Sequence, residues 1–213
     1  MAGMQRRRSD TAPKYLLVGG RLCLDFCNTI RDRHGRPEER LADYGQLAGW
    51  SWRAGVLNAE EAARLKRTAR RSPTEALAVL ERGIALREAL HAIFLAVAAE
   101  RRPRPGHLET LNYELGRAMA RSQVVSADGA FVWVWTEGGR ALDSMLWPIA
   151  RSAADLLTSG ELRAVRQCGG RACGWLFIDT SRNRTRRWCD MRICGNRAKA
   201  RRHHQRLRAA GAA

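Results

Sequence analysis

The sequence lacks an apolar run long enough to cross a membrane. A spanning helix needs about 20 predominantly apolar residues, whereas the longest apolar stretches here are interrupted by Arg, Glu or Gly. The basic start of the chain is not followed by the apolar core and small-residue cleavage site of a secretion signal. We therefore expect a cytoplasmic protein with no membrane partner. In that compartment its six cysteines should be ligands or buried thiols rather than disulfides.

Familiar catalytic motifs are missing as well. The sequence has no glycine-rich phosphate loop, no nucleophile elbow and no HExxH helix, and the sequence identifies no partner for His91 or His107. We expect that the chain is not an enzyme. An enzymatic front domain, with the C-terminal module as a structural support, is the least favoured alternative because no catalytic constellation is visible.

Acidic residues are scarce. The chain has 38 Lys and Arg, 35 of them Arg, against 21 Asp and Glu, for a net charge of +17. Between Arg163 and Arg208 there are 14 Arg and Lys but only two acids, Asp179 and Asp190, which gives +12 and leaves +5 for the other 167 residues. Such concentration of charge is typical of polyanion binders. A basic solvated tail would have the same composition.

The chain divides by composition into two parts and two tails. We interpret residues 1–14 as a disordered basic tail, 15–162 as a mainly helical α+β domain with a few antiparallel strands, 163–208 as a small four-cysteine module, and 209–213 as a tail. The front part is long enough to bury a core of its own. No internal repeat is present.

Apolar spacing and turn signals place the elements of the front domain. Strands are predicted at 15–18, 22–27 and 131–135, and helices at 41–52, 58–71, 72–100, 108–119 and 142–157. Asn58 with Glu61 resembles a capping box, and Ser72 before Pro73 is a second helix-start signal. Pro148 should kink the last helix or mark a break in it.

Four of the cysteines form two C-x4-C pairs separated by 15 residues: Cys168 with Cys173, and Cys189 with Cys194. Two close pairs can each bind one side of a tetrahedral ion, and four thiolates leave no open position, so we predict one structural Zn²⁺. Iron can also occupy four thiolates. Two disulfides or four unconnected thiols are the alternatives, and His203 or His204 could substitute as a ligand.

Basic side chains surround these cysteines. They lie in the connector between the pairs and in a predicted helix after the second pair, beside hydroxyl and amide groups that phosphate contacts also use. The predicted nucleic-acid contacts are Arg182, Arg184, Arg186, Arg187, Asn196, Arg197, Lys199, Arg201 and Arg202.

Two further groups in the front domain could carry function. Cys23 and Cys27 could have a redox or metal role, although packing explains them more simply. Asp25, Asn28 and Thr29 could line a small-molecule pocket, or could fix a turn through bonds to the backbone, which we favour.

Tryptophans in the strand at 131–135 also leave two interpretations. Trp133 and Trp135 could stack on bases, but packing with Phe131 over the helices is the simpler expectation.

Several of these motifs resemble known families. The string from Cys189 to Arg202, with Cys-Gly-Asn-Arg at 194–197, resembles the signature of the CGNR zinc finger family, and 175–188 resembles its connector. Residues 22–29, Leu-Cys-Leu-Asp-Phe-Cys-Asn-Thr, are similar to the opening motif of the ABATE domain that commonly precedes this finger. Cys27 replaces the aliphatic residue more often found there, so the family implies no metal at that position.

The resemblance covers roughly residues 15–205. It implies a treble-clef-like finger ligated by the four cysteines, with Asn196 and Arg197 at the start of the following helix, in a bacterial stress-responsive transcription regulator. We therefore predict a zinc-containing protein that binds duplex DNA, with a front domain for assembly as a homo-oligomer or for sensing a small-molecule signal. The alternative is a zinc module that contacts RNA or docks on a protein without sequence-specific DNA binding.

Overall fold

A computed structural model of the chain describes residues 15–136 and 139–210. The predicted tail at 1–14 lies outside the described residues, as do residues 211–213 of the predicted tail at 209–213. The helices are α1 (Leu22–Cys27), α2 (Tyr44–Arg53), α3 (Ala59–Arg71), α4 (Pro73–Ala98), α5 (Pro105–Met119), α6 (Leu146–Leu157) and α7 (Asn196–Ala210). The strands are β1 (Ile30–Arg31), β2 (Glu38–Glu39), β3 (Ser122–Ala127), β4 (Ala130–Trp135), β5 (Val165–Gln167) and β6 (Leu176–Ile178).

Helices around α4 form the main core. Helix α4 packs against α1, α2, α3, α5 and α6, and it buries Leu86, Leu90, Ile93 and Phe94 completely. Each described strand pairs only with its neighbour in sequence, as three antiparallel two-stranded sheets. The predicted fold class is confirmed: a mainly helical front part with small strand pairs precedes a four-cysteine cluster. None of the described helices combines the length and apolar character needed to span a bilayer.

The strand prediction at residues 22–27 is wrong, because these residues form helix α1. Cys23, Leu24, Phe26 and Cys27 are buried, and this spacing of i, i+1, i+3 and i+4 is that of one helix face. Six residues are too few for periodicity to separate helix from strand. The predicted strand at 15–18 also has no regular structure.

The predicted helix starts agree better with the structure. Asn58 and Glu61 form both bonds of a capping box. Pro73 is the first residue of α4, although the Ser72 side chain does not cap it. Pro148 lies in the first turn of α6, where the missing amide hydrogen costs nothing. The helix therefore needs no kink at this residue.

The β3–β4 hairpin confirms the predicted strand at 131–135 but not its packing. Its two-residue turn at 128–129 has positive φ at both positions, as a type I′ turn requires. Phe131 and Trp133 are 79% and 54% exposed, so neither is buried against the helices, and Trp133 contacts α6 through the Arg151 guanidinium, 4.6 Å from its ring centroid. Trp135 does pack against Trp147, with ring centroids 5.8 Å apart.

The β5–β6 hairpin joins the cysteine region to the front helices. Val165, Leu176 and Ile178 belong to the main core. The Asn28 amide donates to the Leu176 carbonyl (2.8 Å) and accepts from the Leu176 amide (2.9 Å). The Ile178 amide also donates to the Gly19 carbonyl (2.9 Å). The predicted division at residues 162 and 163 remains a prediction, but the packing of the hairpin crosses it.

We expect Asn28→Ala to lower the free energy of unfolding by on the order of 2–4 kcal/mol, because it leaves two buried backbone groups of Leu176 unpaired. Chemical denaturation would measure the change. Asn112→Ala, on the exposed face of α5, is the matched control and should be close to neutral. Equal effects of the two substitutions would contradict the proposed role of Asn28.

Candidate metal centre and nucleic-acid interface

Four buried cysteines bring their sulfurs together. The Sγ atoms of Cys168, Cys173, Cys189 and Cys194 all lie within 4.8 Å of one another. The Sγ atoms are 3.7 Å apart between Cys173 and Cys189 and 3.7 Å apart between Cys189 and Cys194. Sulfurs placed tetrahedrally about 2.3 Å from Zn²⁺ are about 3.8 Å apart, whereas a disulfide needs about 2.0 Å. The cluster therefore fits one structural zinc ion, and the predicted disulfide alternative is wrong.

The first cysteine pair lies on the loop of the β5–β6 hairpin. The Cys168 amide donates to the Trp175 carbonyl (2.8 Å), which continues the hairpin pairing up to the first ligand. A Cβ at Gly170 would lie 3.0 Å from the Cβ of Cys173, so a side chain there would crowd the cysteine ligands. Gly174 has a φ of +72°, which also favours glycine.

The second pair introduces helix α7. Cys194 lies in a single π-helical turn, Met191–Gly195, whose start is capped by the Asp190 side chain. The Cys189 amide points at the Cys168 sulfur across 3.3 Å. An amide hydrogen bond to sulfur stabilises thiolate charge. Zinc, when bound, supplies a structural link between the two pairs and holds the start of α7 against the hairpin.

Two polar side chains shape the connector between the pairs. The Asp179 carboxylate accepts hydrogen bonds from the amide and hydroxyl of Ser181 and from the Arg186 amide. The Arg186 guanidinium lies 4.4 Å from the centroid of the Phe177 ring and donates to the Cys189 carbonyl. Arg186, a predicted nucleic-acid contact, is therefore engaged inside the module.

Most of the other predicted nucleic-acid residues lie on the surface. Eight are exposed: Arg182, Arg184, Arg187, Asn196, Arg197, Lys199, Arg201 and Arg202. Within the described ranges, no charged member of this set other than Arg197 forms an ion pair with an acid. Arg197 differs, because its Nη1 is 3.3 Å from Oδ1 of Asp32.

The loop after β1 contacts the cysteine loop directly. The Arg33 amide donates to the Cys173 carbonyl (3.3 Å), and the His34 amide donates to the Ala172 carbonyl (3.1 Å). Behind this loop, burial lowers the pKa of His91 to about 4. The neutral His91 ring donates to the Gly174 carbonyl (2.9 Å). Sequence reasoning missed these contacts, since nothing in the local pattern links segments so far apart.

Asp25, Asn28 and Thr29 do line one pocket, of about 130 Å³, together with residues of the cysteine module. Asn28 bonds Leu176, and the Thr29 hydroxyl donates to the Phe26 carbonyl (2.7 Å), so both are engaged in structure. Asp25 accepts from the Gly19 amide (2.8 Å). Burial raises the pKa of Asp25 to about 6. Asp25 therefore differs from its two neighbours in having a partly buried, ionisable group at the pocket.

The remaining two cysteines behave as packed thiols. Cys23 and Cys27 are completely buried and lie outside the sulfur cluster. Burial raises the pKa of Cys23 to about 12, which keeps it protonated and unreactive.

The hairpin loop, the connector and the sulfur tetrahedron together define a zinc-finger module attached to a helical front part. Comparison with protein families gives the same two parts. The ABATE model, described as "Putative stress-induced transcription regulator", matches residues 20–160, and the CGNR zinc finger model matches residues 164–207. The chain belongs to the ABATE family and carries a CGNR zinc finger, as the sequence resemblance predicted. No curated protein matches the chain.

We expect the purified protein to contain one zinc ion per chain and Cys189→Ser to lose it. A buried ligand cannot be replaced by another group in the cluster, and the unfolding temperature should fall because zinc binding contributes to folding. Elemental analysis and thermal unfolding would measure both. Cys23→Ala is the control: it removes a buried thiol outside the cluster and should keep full zinc content. Full zinc occupancy in Cys189→Ser would contradict the assignment.

Proposed function

We propose that this protein is a zinc-containing transcription regulator that binds duplex DNA through its finger. The front part would sense a signal or mediate assembly. The observation that carries the proposal is the set of exposed cations beside the zinc site, which have no acidic partner among the described residues. Unpaired guanidinium and ammonium groups are available for phosphate oxygens.

Helix α7 has the dimensions and charge for a DNA groove. Its 15 residues make it about 22 Å long, and the major groove admits an α-helix. Lys199, Arg202, His203 and Arg206 border one surface depression, at the i, i+3, i+4 and i+7 spacing of a single face. The sequence of α7 contains no acid, so no residue of the helix neutralises this face.

The structure supports a narrower set of contacts than the sequence did. Arg186 bonds the module's own backbone, and Arg197 pairs with Asp32. We assign DNA contacts to the exposed α7 cations and, as a second group, to the connector residues Arg182 and Arg184. Because phosphate contacts position a protein and base contacts specify the sequence, most of these arginines would set affinity.

Regulation rather than catalysis is supported by the matched families, which are regulatory and zinc-finger types. The cysteine geometry agrees, since four protein ligands leave zinc no position for a substrate. We infer a non-enzymatic role in which the metal holds the shape of the finger.

We expect Lys199→Gln with Arg202→Gln to weaken binding to a mixed-sequence DNA duplex at least tenfold at low salt. Loss of two phosphate contacts should also reduce the slope of log affinity against log salt by about 2. Fluorescence anisotropy over a salt series would measure both quantities. Zinc content should not change, because neither side chain is a ligand.

Arg101→Gln with Arg102→Gln is the control for total charge, since both arginines are exposed in the loop before α5 and lie outside the finger. Binding that does not weaken with salt, or an equal loss in the control, would contradict the proposed interface. Structured RNA and an acidic polypeptide should be titrated at the same salt. Tighter binding to either one would favour the RNA-contacting or protein-docking alternative.

A further inference from the structure

One pocket, which we call the knuckle pocket, lies between the front part and the zinc finger. It measures about 130 Å³. Its walls include aromatic side chains of the front part and the hairpin, and cysteines of the finger: Tyr15, Trp50, Trp175, Cys173, Cys189 and Cys194. It is not the metal position, because the centre of the sulfur tetrahedron is about 2.3 Å from each sulfur, too close for a water-sized sphere.

The cationic side of the knuckle pocket is formed by three arginines that share two acids. Asp32 lies 3.3 Å from Arg197 and 3.8 Å from Arg31. Glu38 lies 3.0 Å from Arg40 and 3.6 Å from Arg31. The guanidinium groups of Arg31, Arg40 and Arg197 therefore line this side of the pocket.

The opposite charge lies on Asp25. Its carboxylate accepts a backbone hydrogen bond from Gly19, but no cation among the described residues forms an ion pair with it. A partly buried carboxylate without a counterion is costly. The zinc site adds to this negative potential, since Zn²⁺ with four thiolates has a formal charge of −2.

These charges are complementary to a molecule with both signs. An ammonium group would pair with Asp25 beside the thiolates, and aromatic walls also favour cations. A carboxylate would pair with guanidinium groups, its preferred partners. The pocket is smaller than the roughly 300–1,000 Å³ of drug-sized sites, so the molecule has few atoms.

We propose that the knuckle pocket binds a small zwitterion of the α-amino acid type, with its ammonium on Asp25 and its carboxylate on the arginines. Arg197 lines this pocket and belongs to the first turn of α7. A bound carboxylate competes with Asp32 for Arg197 and so changes the contact that holds α7 to the front loop. This coupling rests on the proposed DNA-binding function; the binding of the zwitterion does not.

The first test uses full-length, zinc-loaded wild-type protein without DNA. Each of the common L-amino acids is screened by thermal shift, and calorimetry then measures the affinity of the one with the largest effect. That amino acid is compared with its own amine, which lacks the carboxylate, and with its own acid, which lacks the amine. We expect binding of the zwitterion and at least tenfold weaker binding of both analogues. No binding by any amino acid, or equal binding of an analogue, overturns the proposal.

Two substitutions test the assigned side chains. Asp25→Asn keeps a group that can accept from Gly19 but removes the charge, and should weaken zwitterion binding at least tenfold while leaving the affinity of the carboxylate-only analogue unchanged. Asp155→Asn, an exposed carboxylate on α6, is the control and should bind like wild type. Wild-type affinity in Asp25→Asn overturns the proposal. If Asp25→Asn fails to fold, the comparison of the zwitterion with its analogues on wild-type protein still tests the proposal.

DNA binding is measured separately, with and without the amino acid. Failure of the chain to bind DNA would contradict the proposed function but not the pocket. DNA binding that is unchanged by a bound amino acid would contradict only the coupling through Arg197.

Discussion

Strand β6 is shared by two hydrophobic clusters, and the arrangement of the rest of the molecule depends on it. Successive side chains of a strand point to opposite faces. Leu176 and Ile178 therefore enter the core of the front part, while Phe177 enters the cluster of the four cysteines. A single three-residue strand thus carries packing energy for both. Zinc, by fixing the loop next to β6, contributes to the stability of the front helices as well as to that of the finger.

The same strand explains why a signal in the front part could reach the finger. Asn28 holds β6 through two hydrogen bonds, and the backbone of 33–34 bonds the cysteine loop at 172–173. These contacts fix the zinc finger to the end of α1 and to the loop after β1, and both elements contribute to the lining of the knuckle pocket. A ligand there would touch both sides without an intervening linker. Coupling would require only a change in local contacts such as that between Arg197 and Asp32.

The metal site could be predicted from sequence because its information is local. Two cysteine pairs at fixed spacing define the ligand set wherever the hairpin and the helix point. Helix starts with capping residues were predictable for the same reason, as Asn58 and Glu61 show. Helix α1 was not, since six residues with Leu22, Leu24 and Phe26 in alternation satisfy a strand equally well. Residues 22–27 form a helix because they are buried against α4 and α6, and this burial depends on residues far away in the sequence. The knuckle pocket was only partly predictable for that reason.

Pairing of charges, rather than their number, separates the two parts of the chain. In the front part Arg82 bonds Glu114 and Asp143, and Arg87 bonds Glu39, so many of its arginines are neutralised within the fold. Those interactions hold helices and loops together, and their fields cancel beyond a few ångströms. Apart from Arg197, the exposed cations of α7 have no such partners among the described residues, and their fields add. A polyanion approaching this molecule would therefore be attracted to the finger first, and its on-rate should fall steeply as salt screens that attraction. An arginine excess that reflects composition alone would be distributed over both parts and would not orient the encounter.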